Sequence, residues 1–292
     1  MGKLSIYVGV PTIGRASVLC CTLASLDRQT RTPDGVIVCG TTAADVAGAI
    51  GAHHGSRVLL ASAGLPRQRN AIIAAADDAD ILVFFDDDFL PDAGYLAAVE
   101  DHMASHPRTV AATGVVVADG INGPGMSVTE AQLILAQPFA PASDARSIFS
   151  AYGCNMAIRL GPMRQFGLQF DERLPMYGWQ EDVDLSRQLA SHGDVMQLEA
   201  ARGVHLGTKV GRGSGVRLGY SQVANPLYLV GKRCGYPLKR ALGHIAGNVA
   251  MNIARAAWPE PYVDRRGRLR GNVLAARDML VGRMLPERIL DL

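Results

Sequence analysis

Three consecutive carboxylates, Asp86, Asp87 and Asp88, follow a run of five large apolar residues, 81–85. Adjacent like charges raise one another's pKa unless solvent, a basic side chain or a cation offsets them. Because side chains alternate along an extended chain, we expect Asp86 and Asp88 to face one side and Asp87 the other. Carboxylate oxygens suit Mg²⁺ or Mn²⁺ better than zinc. The triplet therefore predicts a divalent-cation site held by Asp86 and Asp88, and a solvated acidic loop is the alternative.

A second acidic group, Glu181-Asp182, follows Trp179-Gln180 and opens a helical apolar pattern. Carboxylates in the first turn of a helix stabilise it by complementing its dipole. Alternatively, one of them faces a cleft and acts as a general base. The spacing alone leaves both interpretations open.

A glycine-rich basic run occupies residues 203–217, with five glycines and four potential cations in fifteen positions. Glycine lets backbone amides approach an anion closely, and Lys209 and Arg212 could donate charged hydrogen bonds to phosphate. His205 is a candidate third metal ligand. The alternatives are a flexible surface loop and a structural histidine, because the spacing is not that of a P-loop.

The elements that must position these residues alternate between strand and helix. Short apolar runs predict strands over 4–10, 36–39, 57–60 and 81–85, and helical patterns lie between them over 17–27, 43–50 and 65–76. Strand-helix alternation with short connections indicates a mostly parallel sheet flanked by helices, an α/β fold. Ligands bind such sheets at the carboxyl ends of the strands, where Pro11-Thr12 and the aspartate triplet fall.

The later chain is less regular. We predict a helix after Pro91-Asp92, strands over 110–117 and 154–158, and a loop-dominated insertion over 118–150 with a short helix near 129–136. Beyond Pro237, an apolar helical stripe lies opposite a polar one. The apolar stripe consists of Leu242, Ile245, Val249, Ile253 and Ala256, and the polar stripe of His244, Asn248, Asn252 and Arg255.

Composition limits the partners. The 292-residue chain carries a net charge of +2, but residues 202–292 hold 16 Lys and Arg against 5 Asp and Glu, a balance of +11 that leaves −9 for residues 1–201. The basic last third favours phosphate ligands or an anionic membrane surface, and no nucleic-acid-binding motif is recognisable. Five cysteines without paired spacing, no signal-peptide pattern and no long apolar run indicate a cytoplasmic protein, either free or peripheral on the inner face of the membrane.

Taken in order, these motifs resemble those of the inverting glycosyltransferases of family 2, which have the GT-A fold. The matching segments are Val10-Pro11-Thr12 with Arg15, the run from Gly64 to Asn70, Asp86-Asp87-Asp88, Gly153-Cys154-Asn155-Met156 and Trp179-Gln180-Glu181-Asp182. The resemblance implies a nucleotide-diphosphate sugar donor, Mg²⁺ or Mn²⁺ at the aspartates, and a carboxylate base in the Glu181-Asp182 pair. Asp182 is our choice for the base, and Glu181 is the reserve.

One departure from the family pattern concerns the donor. The second strand ends Val38-Cys39-Gly40, where the family usually has an aspartate that holds the nucleoside. Donor contacts must then come from elsewhere. Our candidates are Pro11, Thr12, Arg15, the backbone near Cys39, Arg69, Asn70, Asp86, Asp87, Lys209 and Arg212. Trp179 and Gln180 are the candidates for acceptor binding.

We therefore predict a catalytic domain over 1–235 and a helical extension over 236–292 that docks on a membrane or a partner. The expected reaction moves a sugar to a hydroxyl of a glycan or lipid-linked acceptor in cell-surface polysaccharide or glycoconjugate synthesis. A catalytically silent sugar-nucleotide-binding module is the main alternative. A nucleotidyltransferase is less favoured because residues 11–15 lack a glycine-rich phosphate loop with a lysine. An aspartate-based phosphatase is disfavoured because Leu90 occupies the position where such sites usually have Thr or Val.

Overall fold

The computed structural model describes residues 3–140, 145–209, 213–258 and 260–292. The strands are β1 (Ile6–Pro11), β2 (Gly35–Gly40), β3 (Ser56–Leu60), β4 (Ile81–Phe84), β5 (Phe89–Pro91), β6 (Thr109–Asp119), β7 (Ala145–Ser147), β8 (Met156–Arg159) and β9 (Asp194–His205). The helices are α1 (Ala16–Leu26), α2 (Ala49–Ala52), α3 (Leu65–Ala75), α4 (Tyr95–Ser105), α5 (Val128–Leu135), α6 (Leu160–Phe166), α7 (Glu181–Leu189), α8 (Gly215–Lys232), α9 (Leu238–Ala256) and α10 (Arg265–Leu280). Three short 3₁₀ segments occupy Gly120–Asn122, Gly153–Asn155 and Pro286–Asp291.

The strands described here form one sheet in the order β3-β2-β1-β4-β8-β6-β9-β5, with β7 paired to β9. The first four strands are parallel. β8 runs antiparallel to β4 and to β6, whereas β6 and β9 are parallel to each other. The α/β prediction is confirmed, and β3-β2-β1-β4 and the pair β6-β9 are the parallel parts of the sheet. As a result, β1, β4, β6 and β9 all end at the same edge.

The sheet divides the core into two apolar clusters, one on each face, and β4 contributes to both. Its side chains alternate between two apolar clusters, with Ile81 and Val83 on one face and Leu82 and Phe84 on the other. Helices α1 and α4 pack on the first face, and α3, α6 and α7 pack on the second. All four residues are fully buried, so the predicted strand with two buried faces is confirmed.

Two regions differ from the sequence-based expectation. The helix predicted over 43–50 is wrong, because turns lead only to the short α2. The Asp45 carboxylate accepts hydrogen bonds from the backbone N–H groups of Gly14, Thr41 and Thr42, which favours a turn over a helix. Gly48 then adopts a left-handed conformation with φ of 81°.

Parts of the glycine-rich run belong to regular elements. Its first three residues, 203–205, complete β9, and its last three, 215–217, begin α8. The sequence analysis missed β9 because irregularities in its pairing with β6 break the alternating pattern. Residues 210–212 lie outside the described part of the chain.

The last three helices pack against one another. The backbones of α8 and α10 approach closely at Gly219 and Gly271, where a β-carbon would meet backbone atoms of the other helix at 2.0 and 2.1 Å. Buried amides connect all three helices: Asn252 of α9 donates to Gln222 of α8 and to Asn272 of α10, both at 2.9 Å. Among the described residues, no helix combines the length and apolar character needed to cross a membrane.

Candidate active site

The edge where β1, β4, β6 and β9 end gathers acidic and basic side chains. Asp86, Asp88 and His205 each place a potential ligand atom within 4.8 Å of the others. Asp86 and Asp88 follow β4, and His205 is the last residue of β9. The sequence-predicted metal ligands therefore come together in space, although 117 residues separate Asp88 from His205 in the chain.

Asp87 points to different partners than its neighbours. Its carboxylate accepts hydrogen bonds from Thr12 Oγ1 at 2.7 Å and from Arg15 Nη1 at 3.0 Å. Because β4 ends at Phe84, the division of the triplet comes from the turn that follows and not from strand alternation. Burial raises the pKa of Asp87 to about 7, against the opposing charge of Arg15.

The pair Asp88 and His205 is buried and tightly bonded. His205 Nε2 lies 3.3 Å from Asp88, and Nδ1 lies 2.9 Å from Asp119 at the end of β6. The backbone N–H of Thr208 donates to the other oxygen of Asp88 at 2.7 Å. Burial favours neutral groups, but this bonding outweighs it, lowering the pKa of Asp88 to about 2 and raising that of His205 to about 10.

These residues fit a divalent cation. Two carboxylates and one ring nitrogen converge, and a carboxylate holds the other ring nitrogen of His205, which is how proteins orient metal-binding histidines. A cation at Nε2 would replace the proton that the imidazole otherwise carries. The carboxylate oxygens suit hard cations such as Mg²⁺ and Mn²⁺, and the imidazole is a common ligand of transition-metal ions.

Arg15 offsets the negative charge of the triplet from the side of β1. Its Nη1 atom lies 3.0 Å from Asp87 and 3.4 Å from Asp88. Burial lowers the pKa of Arg15, but the nearby carboxylates raise it by more than burial lowers it. The net pKa is raised, so the guanidinium stays charged. The part of this side chain that remains exposed leaves Arg15 accessible to an anionic ligand.

Arg69 of α3 connects the two acidic motifs. Its guanidinium donates to Glu181 at 2.7 Å, to Asp86 at 3.2 Å and to the carbonyl of Gly153 at 2.7 Å. The side chain is only 1% exposed, so Arg69 lies behind the site, and its contact with the donor stays a prediction. A buried guanidinium requires such partners, since an unpaired buried charge is costly.

Asp182 is the second residue of α7 and lies on the other side of Gly153. Its carboxylate accepts from the backbone N–H of Gly153 at 2.9 Å and from that of Val183 at 2.8 Å. The residue is half-buried, whereas Glu181 is buried against Arg69. Burial raises the pKa of both carboxyl groups, and these hydrogen bonds and Arg69 oppose the rise. Asp182 is the more accessible of the two.

Two residues predicted to contact the donor also have partners inside the protein. The side chain of Cys39 is fully buried, and its carbonyl accepts from Thr12 N and Gln68 Nε2. The side-chain amide of Asn70 donates to the carbonyl of Phe170 and to Glu172, and its oxygen accepts from Phe170 N. These contacts brace the site from behind, and the roles of Asn70 and of the backbone near Cys39 in donor binding stay predictions.

Gln180 and Lys209 also have internal partners. Gln180, 7% exposed, donates to Tyr236 at 3.2 Å and to His244 at 2.7 Å, so its amide braces the loop, and its role in acceptor binding stays a prediction. Lys209 donates to the carbonyls of Gly120 and Ile121 at 2.9 Å. Arg212 lies outside the described residues. Pro11 is buried in β1, and Trp179 is half-buried with its carbonyl bound by Asn225.

Asp119, Gln68 and Asp45 were not predicted from the sequence. Asp119 ends β6 at the same edge as the triplet, and an acidic residue just after a predicted strand was a signal that could have found it. Gln68 bridges the carbonyls of Thr12 and Cys39, at 2.8 Å each. Nothing in the local pattern distinguishes that glutamine from a surface residue.

The fold matches solved glycosyltransferases of the GT-A class. Mannosyltransferase PcManGT from Pyrobaculum calidifontis, solved with GDP-Man and Mn²⁺, is 15% identical over 99% of this chain and 86% of its own, with a TM-score of 0.57. A fragment of TarS from S. aureus is 14% identical over 98% of this chain and 82% of its own, with a TM-score of 0.58. GalNAc-T7, solved with UDP, GalNAc and Mn²⁺, is 12% identical over 99% of this chain and 56% of its own, with a TM-score of 0.59.

The sequence gives the family. The model of the family described as "Glycosyl transferase family 2" matches residues 7–167, more than half of the 292-residue chain. The chain belongs to glycosyl transferase family 2 and is a glycosyltransferase. No curated protein sequence matches it.

Proposed function

We propose that this glycosyltransferase is metal-dependent and inverting, and that it transfers a sugar from a nucleotide-diphosphate donor to a hydroxyl group of a glycan or lipid-linked acceptor. The observation that carries the proposal is the pair of acidic groups joined by Arg69. On one side Asp86, Asp88 and His205 converge, and on the other Asp182 is held by Gly153. Leaving-group stabilisation and proton removal need two such groups.

The donor diphosphate would bind at Asp86, Asp88 and His205 through Mn²⁺ or Mg²⁺. When bound, the cation supplies Lewis-acid stabilisation of the charge that develops on the leaving diphosphate. Arg15, partly exposed beside Asp87 and Asp88, would add a charged hydrogen bond to the donor. Several similar solved structures contain GDP-Man, UDP or UDP-GlcNAc, which supports a nucleotide-sugar donor here.

Asp182 would serve as the base that removes the acceptor proton. Inversion requires the acceptor oxygen to attack the face of the anomeric carbon opposite the leaving group, so one carboxylate suffices on the acceptor side. Glu181 is less suited to this role, because its carboxylate is paired with buried Arg69. The two backbone hydrogen bonds to Asp182 fix the direction of its carboxylate.

The loop that leads into α7 lies next to Asp182 in the chain and carries two aromatic residues. Trp179 is half-buried on the loop that leads into α7, two residues after exposed Tyr177. Aromatic rings beside a catalytic carboxylate offer apolar faces that pack on sugar rings. We propose that this loop binds the acceptor, and that the product is a polysaccharide or glycoconjugate of the cell surface.

The direct test is incubation of the protein with Mn²⁺ and a panel of UDP-, GDP-, ADP- and dTDP-sugars. We expect one donor to raise the melting temperature and to be hydrolysed slowly, with a strict requirement for the cation. Binding without hydrolysis or transfer, even with candidate acceptors, would favour a silent sugar-nucleotide-binding module. Once an acceptor is found, the anomeric configuration of the product by NMR tests inversion.

A further inference from the structure

Helix α9 leaves part of its apolar stripe on the outside. Ile245 and Val249 of that stripe pack against the buried cluster of α8 and α10, beside the hydrogen-bonded His244, Asn248 and Asn252. Leu242 and Ile253 are instead 52% and 57% exposed. A helix on a water-soluble core normally buries its large apolar side chains. The outer face of α9, which we define as Leu238, Leu242, Ala246, Ala250, Ile253 and Ala254, therefore remains uncovered by the described chain.

Positive charge surrounds this face. Lys239 and Arg240 lie at the start of α9 and Arg255 at its end, and the helix contains no acidic residue. Immediately beyond, Trp258 is 78% exposed. Tryptophan at the border between apolar and charged surface is typical of segments that lie at a lipid headgroup layer.

Helix α10 extends the same surface. Residues spaced at helical intervals along its exposed side combine basic and large apolar side chains, namely Arg266, Arg270, Val273, Arg277 and Leu280. The guanidinium of Arg266 donates to the carbonyl of Ala256, so this stripe adjoins the end of α9. We call these residues and the outer face of α9 together the basic-apolar surface.

Of the acidic residues near the C-terminal helices, one reaches a cation beside this surface: Glu260 lies 3.9 Å from Arg255 and pairs more closely with Arg265, at 2.5 Å. The others have partners elsewhere: Asp264 accepts from Gly267 N, Asp278 accepts from Tyr220, Glu287 pairs with Arg173, and Asp291 pairs with Arg288. Lys239, Arg270 and Arg277 make no ion pair within the ranges that the structure describes.

We propose that the basic-apolar surface docks the protein on an anionic membrane. Self-association fits this surface less well. If two copies paired through α9 in antiparallel fashion, Lys239 and Arg240 of one copy would face Arg255 of the other. In a parallel pair, each cation would face the same cation of the other copy, so both arrangements bring like charges together. An anionic lipid surface instead complements the cations and accepts the apolar side chains between them. The proposal concerns attachment only and is independent of the donor and of the reaction.

The test is co-sedimentation of the full chain with phosphatidylcholine vesicles that contain or lack phosphatidylglycerol. We expect binding only when phosphatidylglycerol is present. The triple variant Arg266→Gln/Arg270→Gln/Arg277→Gln should bind about a hundredfold more weakly, since each cation near such a surface contributes a factor of about five. Leu242→Gln/Ile253→Gln should also bind more weakly. The matched controls Arg28→Gln and Leu60→Gln, exposed elsewhere on the molecule, should bind like the wild type.

Three results would overturn the proposal: no binding by the wild type, equal binding to both kinds of vesicle, or unchanged binding by both surface variants. Sedimentation equilibrium without lipid tests self-association. If the wild type is a dimer and Leu242→Gln/Ile253→Gln is a monomer, the face is assigned to a second copy of the chain. Circular dichroism and cation-dependent donor hydrolysis should be unaltered in the variants, which separates a failure of docking from a failure of the catalytic assignment.

Discussion

At the scale of single residues, the three aspartates of the triplet have different partners. Asp87 is bonded to Thr12 and Arg15, Asp88 to His205, and Asp86 to Arg69. The sequence predicted that Asp87 would differ from its neighbours, but for the wrong physical reason. Strand alternation ends at Phe84, and the side chains that receive each carboxylate come from distant segments that local pattern does not reveal.

Asp182→Asn should lower transfer by about 10²–10⁴-fold, because the amide cannot take the acceptor proton. The base must be ionised, and burial raises the pKa of Asp182 above its usual value. The rate of the wild type should therefore be high above that pKa and fall as the pH is lowered through it. A pH–rate profile checks this.

The control for the base assignment is Asp101→Asn on the exposed side of α4, which should leave the rate and the profile unchanged. An Asp182→Asn protein that turns over like the wild type would contradict the assignment. So would an acid limb that persists unchanged in the residual activity of that variant.

Asp45→Ala should destabilise the protein by about 2 kcal/mol, because it leaves the backbone donors of Gly14, Thr41 and Thr42 without their carboxylate. Burial raises the pKa of Asp45, but these bonds and that from Thr41 Oγ1 outweigh burial and lower it to about 2. The stabilisation is complete above the unfolded value of 3.8 and is lost as the pH falls toward 2. Urea unfolding at several pH values measures it, and an equal acid sensitivity in Asp45→Ala would refute the cause.

At the scale of elements, the sequence predicted most strands and helices of the first hundred residues, because apolar runs and helical periods there match buried positions. It failed where tertiary contacts decide. The stripes of α9 had the right period, yet a pattern does not say which side chains are buried: Ile245 and Val249 pack on the core, whereas Leu242 and Ile253 are exposed. His244 and Asn252 lie on the packed side because they form hydrogen bonds there with Gln180, Gln222 and Asn272.

Helix α8 is tied to α7 by Lys232. Its ammonium lies 2.6 Å from Asp184, which is 2% exposed, and 2.8 Å from Asp171. Lys232→Met should lower the free energy of unfolding by about 3 kcal/mol, because it leaves the Asp184 carboxylate buried without its cation. Thermal or urea unfolding measures the loss.

The neighbouring Arg233 provides the matched control. It is exposed and left-handed, with φ of 58°, so Arg233→Gly should stabilise the protein by about 0.5–1 kcal/mol. Adding Asp184→Asn to Lys232→Met should recover part of the lost stability. A Lys232→Met protein as stable as the wild type would show that water, and not lysine, satisfies Asp184.

At the scale of the whole molecule, the ordered motifs predicted the glycosyltransferase fold even though the similar solved structures share only 12–15% of their residues with this chain. The motifs lie at strand ends, which the fold brings to one edge, so their order in the chain carries the topology. The division at residue 235 stays a prediction. Helices α9 and α10 pack on α8, and Gln180 reaches across that boundary to Tyr236 and His244.

The central claim is that Asp86, Asp88 and His205 bind the cation on which sugar transfer depends. It is tested most directly by titrating Mn²⁺ into the wild type and Asp88→Asn, with affinity measured by calorimetry and donor cleavage followed in the same samples. We expect Asp88→Asn to lose at least about tenfold in Mn²⁺ affinity and about a hundredfold in cleavage, while Asp101→Asn retains both. Wild-type affinity and cleavage in Asp88→Asn would contradict the account.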